Sequence, residues 1–537
     1  MREAESLLRT RLWPMLPAIL LLGVAATVAD GPRWLRLCDK GPDEPARGTR
    51  AWQDAPERRD LLDSLRSRGW KIRNEYRWEN LVSAVPVRDG ATLPTCVEDA
   101  GSVARGMKTP LPAGAAGRSF AASRSASVDE FTASLRAVWD SLGIETAHER
   151  LQALGRSAGE GIRIAFMDGF FDPTHPVLQG AAVVDRWDFV DDRSTPWDST
   201  GYDMHGTQTS GLVVSSWDRL PGVAPAAGLL LYRTENDTTE TPVEEDNLAA
   251  AIVRACDSGA RVISTSLGYR WQDYADQIPM HPDSAFDGRT LVASRAATEA
   301  ARRDVVVVVA AGNEADRFGP MSIDSPADAD SVLTVGAVDA TDQRCSFSSF
   351  GPTWDGRRKP DVAAYGCSVP VAGYSGDQRT WGIGTSFSTP LVAGMVVLAR
   401  QLLPGMSAPD IVQAFRAAGN LSATPNDFLG WGVPSLVRIS TLRQILTSSR
   451  AGSPLPRWWS LSQGSLRFAA SGAQTQGSLG VELRTLDGRI LLRWEGRWSQ
   501  GAAIWGPDEY TAQRPQLVVA RWWGDYGAGS VPLLVLP

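Results

Sequence analysis

The sequence predicts an α/β protein: a parallel sheet covered by helices on both faces, with a small α+β unit before it and a small all-β domain after it. Three observations carry this. Between residues 128 and 447, four almost continuously apolar runs, Ile162–Met167, Gly228–Tyr232, Arg261–Thr265 and Val305–Ala311, suit strands buried on both faces. Helical stretches at 247–258 and 291–303 lie between them, the alternation of a doubly covered sheet. From about residue 448 to 537 the chain turns to short strand-like runs with frequent Gly and seven Trp. That stretch reads as a separate β domain, whose Trp side chains are expected to fill a small core rather than to bind carbohydrate.

The earlier elements follow in order. Residues 1–29 read as a signal peptide. Arg2, Arg9 and Arg11 precede an uncharged, mostly apolar run from Leu12 to Ala29, with Thr27 and Ala29 placed for cleavage. The competing reading is an uncleaved anchor, since 18 residues is at the short end of a membrane span. Pro14 and Pro17 interrupt the run and favour the signal. Either way the expected location is secreted or cell surface, with membrane contact only if the segment stays uncleaved. Residues 30–110 alternate in a βαββαβ-like way. Arg33–Cys38 reads as a strand, Pro56–Arg68 as a charged helix, Lys71–Trp78 and Leu81–Val87 as strands, then a weaker helix and strand. Residues 111–127, rich in Ala, Gly and Ser, read as a linker.

Composition narrows the function classes. Hydrophobic residues at 43% and charged residues at 21% exclude a disordered chain, a collagen and a polytopic membrane protein. A net charge of −7 argues against a dedicated nucleic-acid binder, whose footprint would be basic. Five cysteines, Cys38, Cys96, Cys256, Cys345 and Cys367, form no C-x-x-C pair and no Cys/His cluster, so a structural zinc site is not expected. A disulfide within the first pair or within the last pair is open on sequence grounds. Four histidines, His148, His175, His205 and His281, are the whole choice for any mechanism that needs an imidazole.

Four short segments carry chemistry. Asp168 ends the apolar run I-R-I-A-F-M-D, at the carboxyl edge of a strand, where ligands of open α/β sheets gather. His205 lies in D-M-H-G-T, Asn313 closes V-V-V-V-V-A-A-G-N, and Ser386 lies in G-I-G-T-S-F-S-T-P before the apolar helical stretch Leu391–Leu403. Each taken alone has a plain structural reading: a turn or cap, a packed imidazole, a turn residue, a helix N-cap. As a set they supply orienting carboxylate, base, oxyanion donor and nucleophile. Chain order discriminates among hydrolases. The α/β-hydrolase order is Ser, acid, His, and no His follows His281. Ser388 also stands where G-x-S-x-G needs its last Gly. The chymotrypsin order begins with His, which would leave Asp168 unused. Asp, His, Ser is the order of subtilisin.

At this point residues 128–447 resemble a subtilase, a subtilisin-like serine peptidase. The segments I-A-F-M-D-G, H-G-T, V-I-S-T-S-L-G, A-A-G-N and G-T-S-F-S-T-P match the family's landmarks in order, and Phe347–Pro352 followed by Lys359-Pro360-Asp361 adds to the likeness. The resemblance implies a triad of Asp168, His205 and Ser386, an oxyanion donor in Asn313, and a substrate-pairing segment at Ser266, Leu267 and Gly268. Departures are Gln208, where a second His is common, and Gly169-Phe170-Phe171 after the aspartate. Residues 30–110, through Tyr76–Val87 above all, resemble the family's inhibitory propeptide, a weaker match than the catalytic one.

The resemblance therefore implies an exported endopeptidase made as a self-processing precursor, with protein or peptide substrates and its own propeptide as intramolecular inhibitor. No cofactor is required for that chemistry. Residues 234–246 carry six carboxylates, but their spacing matches no standard calcium loop, and they read as a solvated acidic face. Two rival readings are an inactive subtilase fold kept for binding, and a cell-surface binding protein whose Trp-rich C-terminal domain is the main functional part.

Overall fold

The computed structural model describes residues 33–37, 59–79, 81–87, 91–94, 97–102, 128–197, 204–236, 243–270, 281–374 and 378–439, together with the backbone of seven strands between 458 and 535. The expected signal segment, the linker 111–127 and the Cys38/Cys96 pair lie outside the described residues.

The N-terminal unit contains β1 (Arg33–Leu37), α1 (Arg59–Ser67), β2 (Trp70–Tyr76), β3 (Leu81–Pro86) and β4 (Val97–Ser102). Its sheet has the order β2-β3-β1-β4, with antiparallel pairs throughout. Leu61, Leu62 and Leu65 of α1 pack on Leu35, Leu37 and Val82 of the sheet. The further helix expected before the last strand does not appear at 91–94.

Two helices, α2 (Val128–Leu142) and α3 (Ile144–Ala153), lead into the central sheet. Its strands are β5 (Arg163–Asp168), β6 (Ala182–Asp188), β7 (Gly228–Arg233), β8 (Val262–Thr265), β9 (Val306–Ala310), β10 (Leu333–Val338) and β11 (Val362–Tyr365). Their order is β11-β10-β9-β8-β5-β7-β6, and every pairing is parallel. The apolar runs are continuous because both faces are covered. Ile164, Phe166, Leu229, Leu231, Val306 and Val308 join one core, while Ala165, Met167, Leu230, Val307 and Val309 join the other.

Helix α4 (His205–Val214) precedes β7, α5 (Val243–Asp257) and α6 (Val292–Arg302) cover one face, and a short α7 (Ala315–Phe318) follows β9. A hairpin of β12 (Val369–Ala372) and β13 (Arg379–Gly382) leads to α8 (Thr385–Leu402), then α9 (Ala408–Ala417). Every residue of α8 is buried, which explains the apolar run from Leu391 to Ala399 in its middle. Cys345 and Cys367, the last pair, are joined as a disulfide.

The chain order reverses at β5. The strands that follow it lie partly on its β7 side and partly on its β8 side. The carboxyl end of β5 is thus a topological switch point, the crevice where open α/β sheets bind ligands.

The N-terminal unit packs on α5 and α6. Tyr76, Trp78 and Leu81 share a core with Leu248, Ile252, Ala293 and Ala297. Arg295 forks onto Glu79 at 2.6 and 3.0 Å, Arg303 stacks over Trp78, and Asn74 donates to Asn247. This contact corrects the expectation for the acidic segment. Glu244, Glu245 and Asp246 open α5 and are buried, not solvated. The positive end of the helix favours them there. Arg73 of the N-terminal unit stands 3.6 Å from Asp246, and His281 Nε2 is 3.1 Å from Glu245.

In the C-terminal region, β14 (Trp458–Ser462), β15 (Ser465–Ala469) and β18 (Ala502–Trp505) form one antiparallel sheet. Strands β16 (Gln476–Thr485), β17 (Ile490–Ser499), β19 (Gln516–Gly524) and β20 (Gly527–Val535) form a second. Among the described residues, no helix is long and apolar enough to cross a membrane.

Candidate active site

Asp168 is the last residue of β5, buried, at the switch point. His205 is the first residue of α4, and its Nδ1 lies 2.6 Å from Asp168 Oδ1. The approach depends on the glycine after the histidine: a Cβ on Gly206 would stand 2.5 Å from the carbonyl oxygen of Phe170. Thr209, one turn further along α4, donates its hydroxyl to Asp168 Oδ2 at 3.0 Å, and the Gly169 amide donates to Oδ1 at 2.9 Å. Both carboxylate oxygens are therefore held, which orients the ring bonded to one of them.

Ser386 is the second residue of α8 and, at 8% exposure, the most exposed residue of that buried helix. The helix starts after Gly384, whose φ of +147° is open to glycine and strained for other residues. The ring of Phe387, the next residue, lies 5.9 Å from that of His205. Pro390 has no N–H to give the carbonyl four residues back, which is that of Ser386. That carbonyl instead accepts from Ser266 Oγ at 2.9 Å, and Ser386 Oγ lies 3.5 Å from the carbonyl oxygen of Ser266. The proline thus frees an acceptor that ties the start of α8 to the end of β8.

Ser266, Leu267 and Gly268 run beyond Thr265, the last paired residue of β8 in its ladders with β5 and β9. Gly268 is exposed. The segment has no strand partner among the described residues, so its backbone is open to pairing with another chain. Asn313 follows β9. Its Oδ1 accepts from the Thr385 amide at 2.9 Å and from the Thr385 hydroxyl at 3.0 Å. With the oxygen committed, the side chain offers Nδ2 as donor. The glycine before it is dictated by geometry: Gly312 has φ +104°, and a Cβ there would stand 2.4 Å from Asp324 Oδ2.

The structure thus brings Asp168 and His205 into contact, sets Ser386 on the neighbouring start of α8, and ties Asn313, in the turn after β9, to that start through Thr385. Sequence reasoning missed three residues nearby. Thr209 had one signal, its position four residues after His205 on a helix. Glu235 accepts from the Tyr269 hydroxyl at 2.7 Å and from Thr234 at 3.0 Å; burial, with Asp168 adding to it, pushes its carboxyl up to about 7. Asp324 had no local signal at all. Among the described residues no group of three or more His, Cys, Asp or Glu side chains is placed to hold a metal.

The family model described as "Subtilase family" matches residues 159–432, just over half of the chain. The chain belongs to the subtilase family. It is 32% identical to the thermophilic serine proteinase of Bacillus sp. (strain AK1) over 272 residues, covering 50% of this chain and 59% of the relative. It is 32% identical to thermitase of Thermoactinomyces vulgaris over 282 residues, covering 51% of this chain and 86% of thermitase. Among solved structures it is similar to MycP3 protease from the type VII (ESX-3) secretion system, at 25% identity and TM-score 0.44, covering 57% of this chain and 87% of that one. Family membership places this subtilase among the subtilisin-like serine peptidases.

Proposed function

We propose that this subtilase is an exported serine endopeptidase, made as a precursor that processes itself. The observation that carries the reading is the 2.6 Å contact between His205 Nδ1 and Asp168 Oδ1 at the switch point, beside the helix start that holds Ser386. Ser386 Oγ attacks the peptide carbonyl, and His205 takes its proton through Nε2 and returns it to the leaving amine. Asp168 keeps the imidazole in the tautomer with the proton on Nδ1 and stabilises its cation. Water then attacks the acyl-enzyme by the same route. The oxyanion meets Asn313 Nδ2 and the Ser386 backbone N–H, with the positive end of α8 adding a favourable field. The substrate backbone pairs along Ser266–Gly268, and the steps require no cofactor.

The N-terminal unit acts in this reading as the intramolecular inhibitor. Its support is the apolar contact of Tyr76, Trp78 and Leu81 with α5 and α6. Export rests on the positively charged start and the apolar run that follows it in the sequence. The test is N-terminal sequencing of the secreted protein, with and without Ser386→Ala. The wild type is expected to begin between residues 109 and 136, and the variant to keep the N-terminal unit. A variant that matures by itself in a protease-free preparation would sink self-processing. Full peptidase activity in that variant would sink the whole reading.

A further inference from the structure

Asp324 lies eleven residues after Asn313 in sequence, yet its side chain returns to the site. It is buried at 4% exposure and rests on two glycines of the site's own segments. A Cβ on Gly312 would stand 2.4 Å from its Oδ2, and one on Gly268 would stand 3.2 Å from the same oxygen. Gly312 precedes Asn313, and Gly268 ends the segment proposed to pair with substrate. The carboxylate therefore lies against both of these segments. In the peptidase reading, a peptide with its carbonyl at Ser386 and its backbone along 266–268 carries the side chain before the scissile bond beside these two segments, toward Asp324.

The carboxylate is not satisfied where it sits. Its Oδ1 accepts no hydrogen bond among the described residues, a costly state for a buried oxygen. Arg270 reaches it only at 3.7 Å, because its guanidinium is held elsewhere. Arg270 donates to the carbonyls of Met321 at 2.9 Å and Ile323 at 3.0 Å, and to Asp283 at 3.2 Å, while stacking on Phe286. Burial, with Glu314 and Asp328 adding to it, holds the Asp324 carboxyl up to about 8 against the pull of Arg270. Such a group gains from a further cation placed against it.

We propose that Asp324 selects a cationic side chain, arginine or lysine, immediately before the scissile bond. This rests on the peptidase reading above. The test uses the full-length protein after maturation, its active sites counted with a fluorophosphonate, and peptides that differ only at that residue: arginine, lysine, citrulline or leucine. Citrulline keeps the shape of arginine and lacks its charge. The arginine peptide is expected to exceed the citrulline peptide in kcat/KM by about 10²-fold, the scale of losing one partner of a buried charge pair. Asp324→Asn and Asp324→Ser, each measured per titrated site, should bring the two peptides to near parity. Titrated wild type that cleaves arginine and citrulline peptides alike overturns the proposal, as does a preference that survives in both variants. A wild type that neither labels nor cleaves any peptide is a different failure: it removes the peptidase reading, and this proposal with it.

Discussion

At the scale of single residues, the arrangement separates groups that touch reacting atoms from those that hold them. Asn313 meets charge that exists only in the transition state, so Asn313→Ala is expected to lower kcat by about 10²–10³ and leave KM nearly unchanged. That magnitude is the one known for subtilisin itself, a relative in this family. A normal kcat per site titrated with a covalent serine reagent would return Asn313 to the role of a turn residue. Thr209 acts through Asp168, one of whose oxygens it holds at 3.0 Å. Thr209→Val should lower kcat more than KM and shift the acid limb of the pH profile, because the carboxylate loses a donor that favours its charged form. That limb belongs to His205: kcat/KM should fall in acid with an apparent pKa of roughly 6–7. A profile that stays flat down to about pH 5 would remove His205 as the base.

At the scale of elements, the amino ends of β10 and β11, on the sheet edge opposite the site, are held by buried charge. Asp361 at the start of β11 accepts from Lys359 Nζ at 2.8 Å, from Arg416 Nε of α9 at 2.9 Å, and from the Thr334 amide of β10 at 2.7 Å. Burial alone would raise its pKa, but Arg416 and Lys359 outweigh burial and hold it below the ordinary carboxylate value. A folded pKa below the unfolded one means stability that is present above the unfolded pKa and lost as pH falls through the folded one. Asp361→Asn leaves Lys359 buried without its counter-ion, and is expected to cost about 3–5 kcal/mol in denaturant unfolding at neutral pH. The gap between variant and wild type should narrow as the pH falls below about 4. A gap independent of pH would mean that the loss is one of packing.

For the molecule as a whole, the question is how three units share one function. Trp78, buried at 2% exposure beneath Arg303, anchors the N-terminal unit on the face formed by α5 and α6. Removing a buried Trp costs about 3–5 kcal/mol. If most of that falls on the interface, Trp78→Ala should weaken inhibition of the mature enzyme in trans by about 10²-fold or more. Unchanged inhibition would place the unit's role elsewhere. Deleting residues 448–537 separates the peptidase reading from one in which the Trp-rich β region is the main functional part. Hydrolysis of short peptides per titrated site should persist, while any glycan or surface binding should be lost. A deletion that abolished cleavage in correctly folded protein would make that region part of the active unit.

Much of this was legible in the sequence, for a reason that is local. Strands buried on both faces must be apolar throughout, so the runs at 162–167, 228–232, 261–265 and 305–311 announced a covered parallel sheet. Gly206 and Gly312 stand where backbone or side chains approach too closely for a Cβ, and they lie next to His205 and Asn313, two of the four residues the motifs pointed to. Tertiary structure alone decided the rest. Glu244, Glu245 and Asp246 look solvated in the sequence but are buried: Asn236 donates to Glu244, His281 faces Glu245, and Arg73 of the N-terminal unit faces Asp246. The join between Ser266 and Ser386 comes from a proline that withholds one N–H, visible only once α8 and β8 are side by side. Asp324 reads as an ordinary loop carboxylate until the chain folds it onto Gly268 and Gly312. Burial, partner and direction belong to contacts between residues distant in sequence, and a one-dimensional pattern holds no record of them.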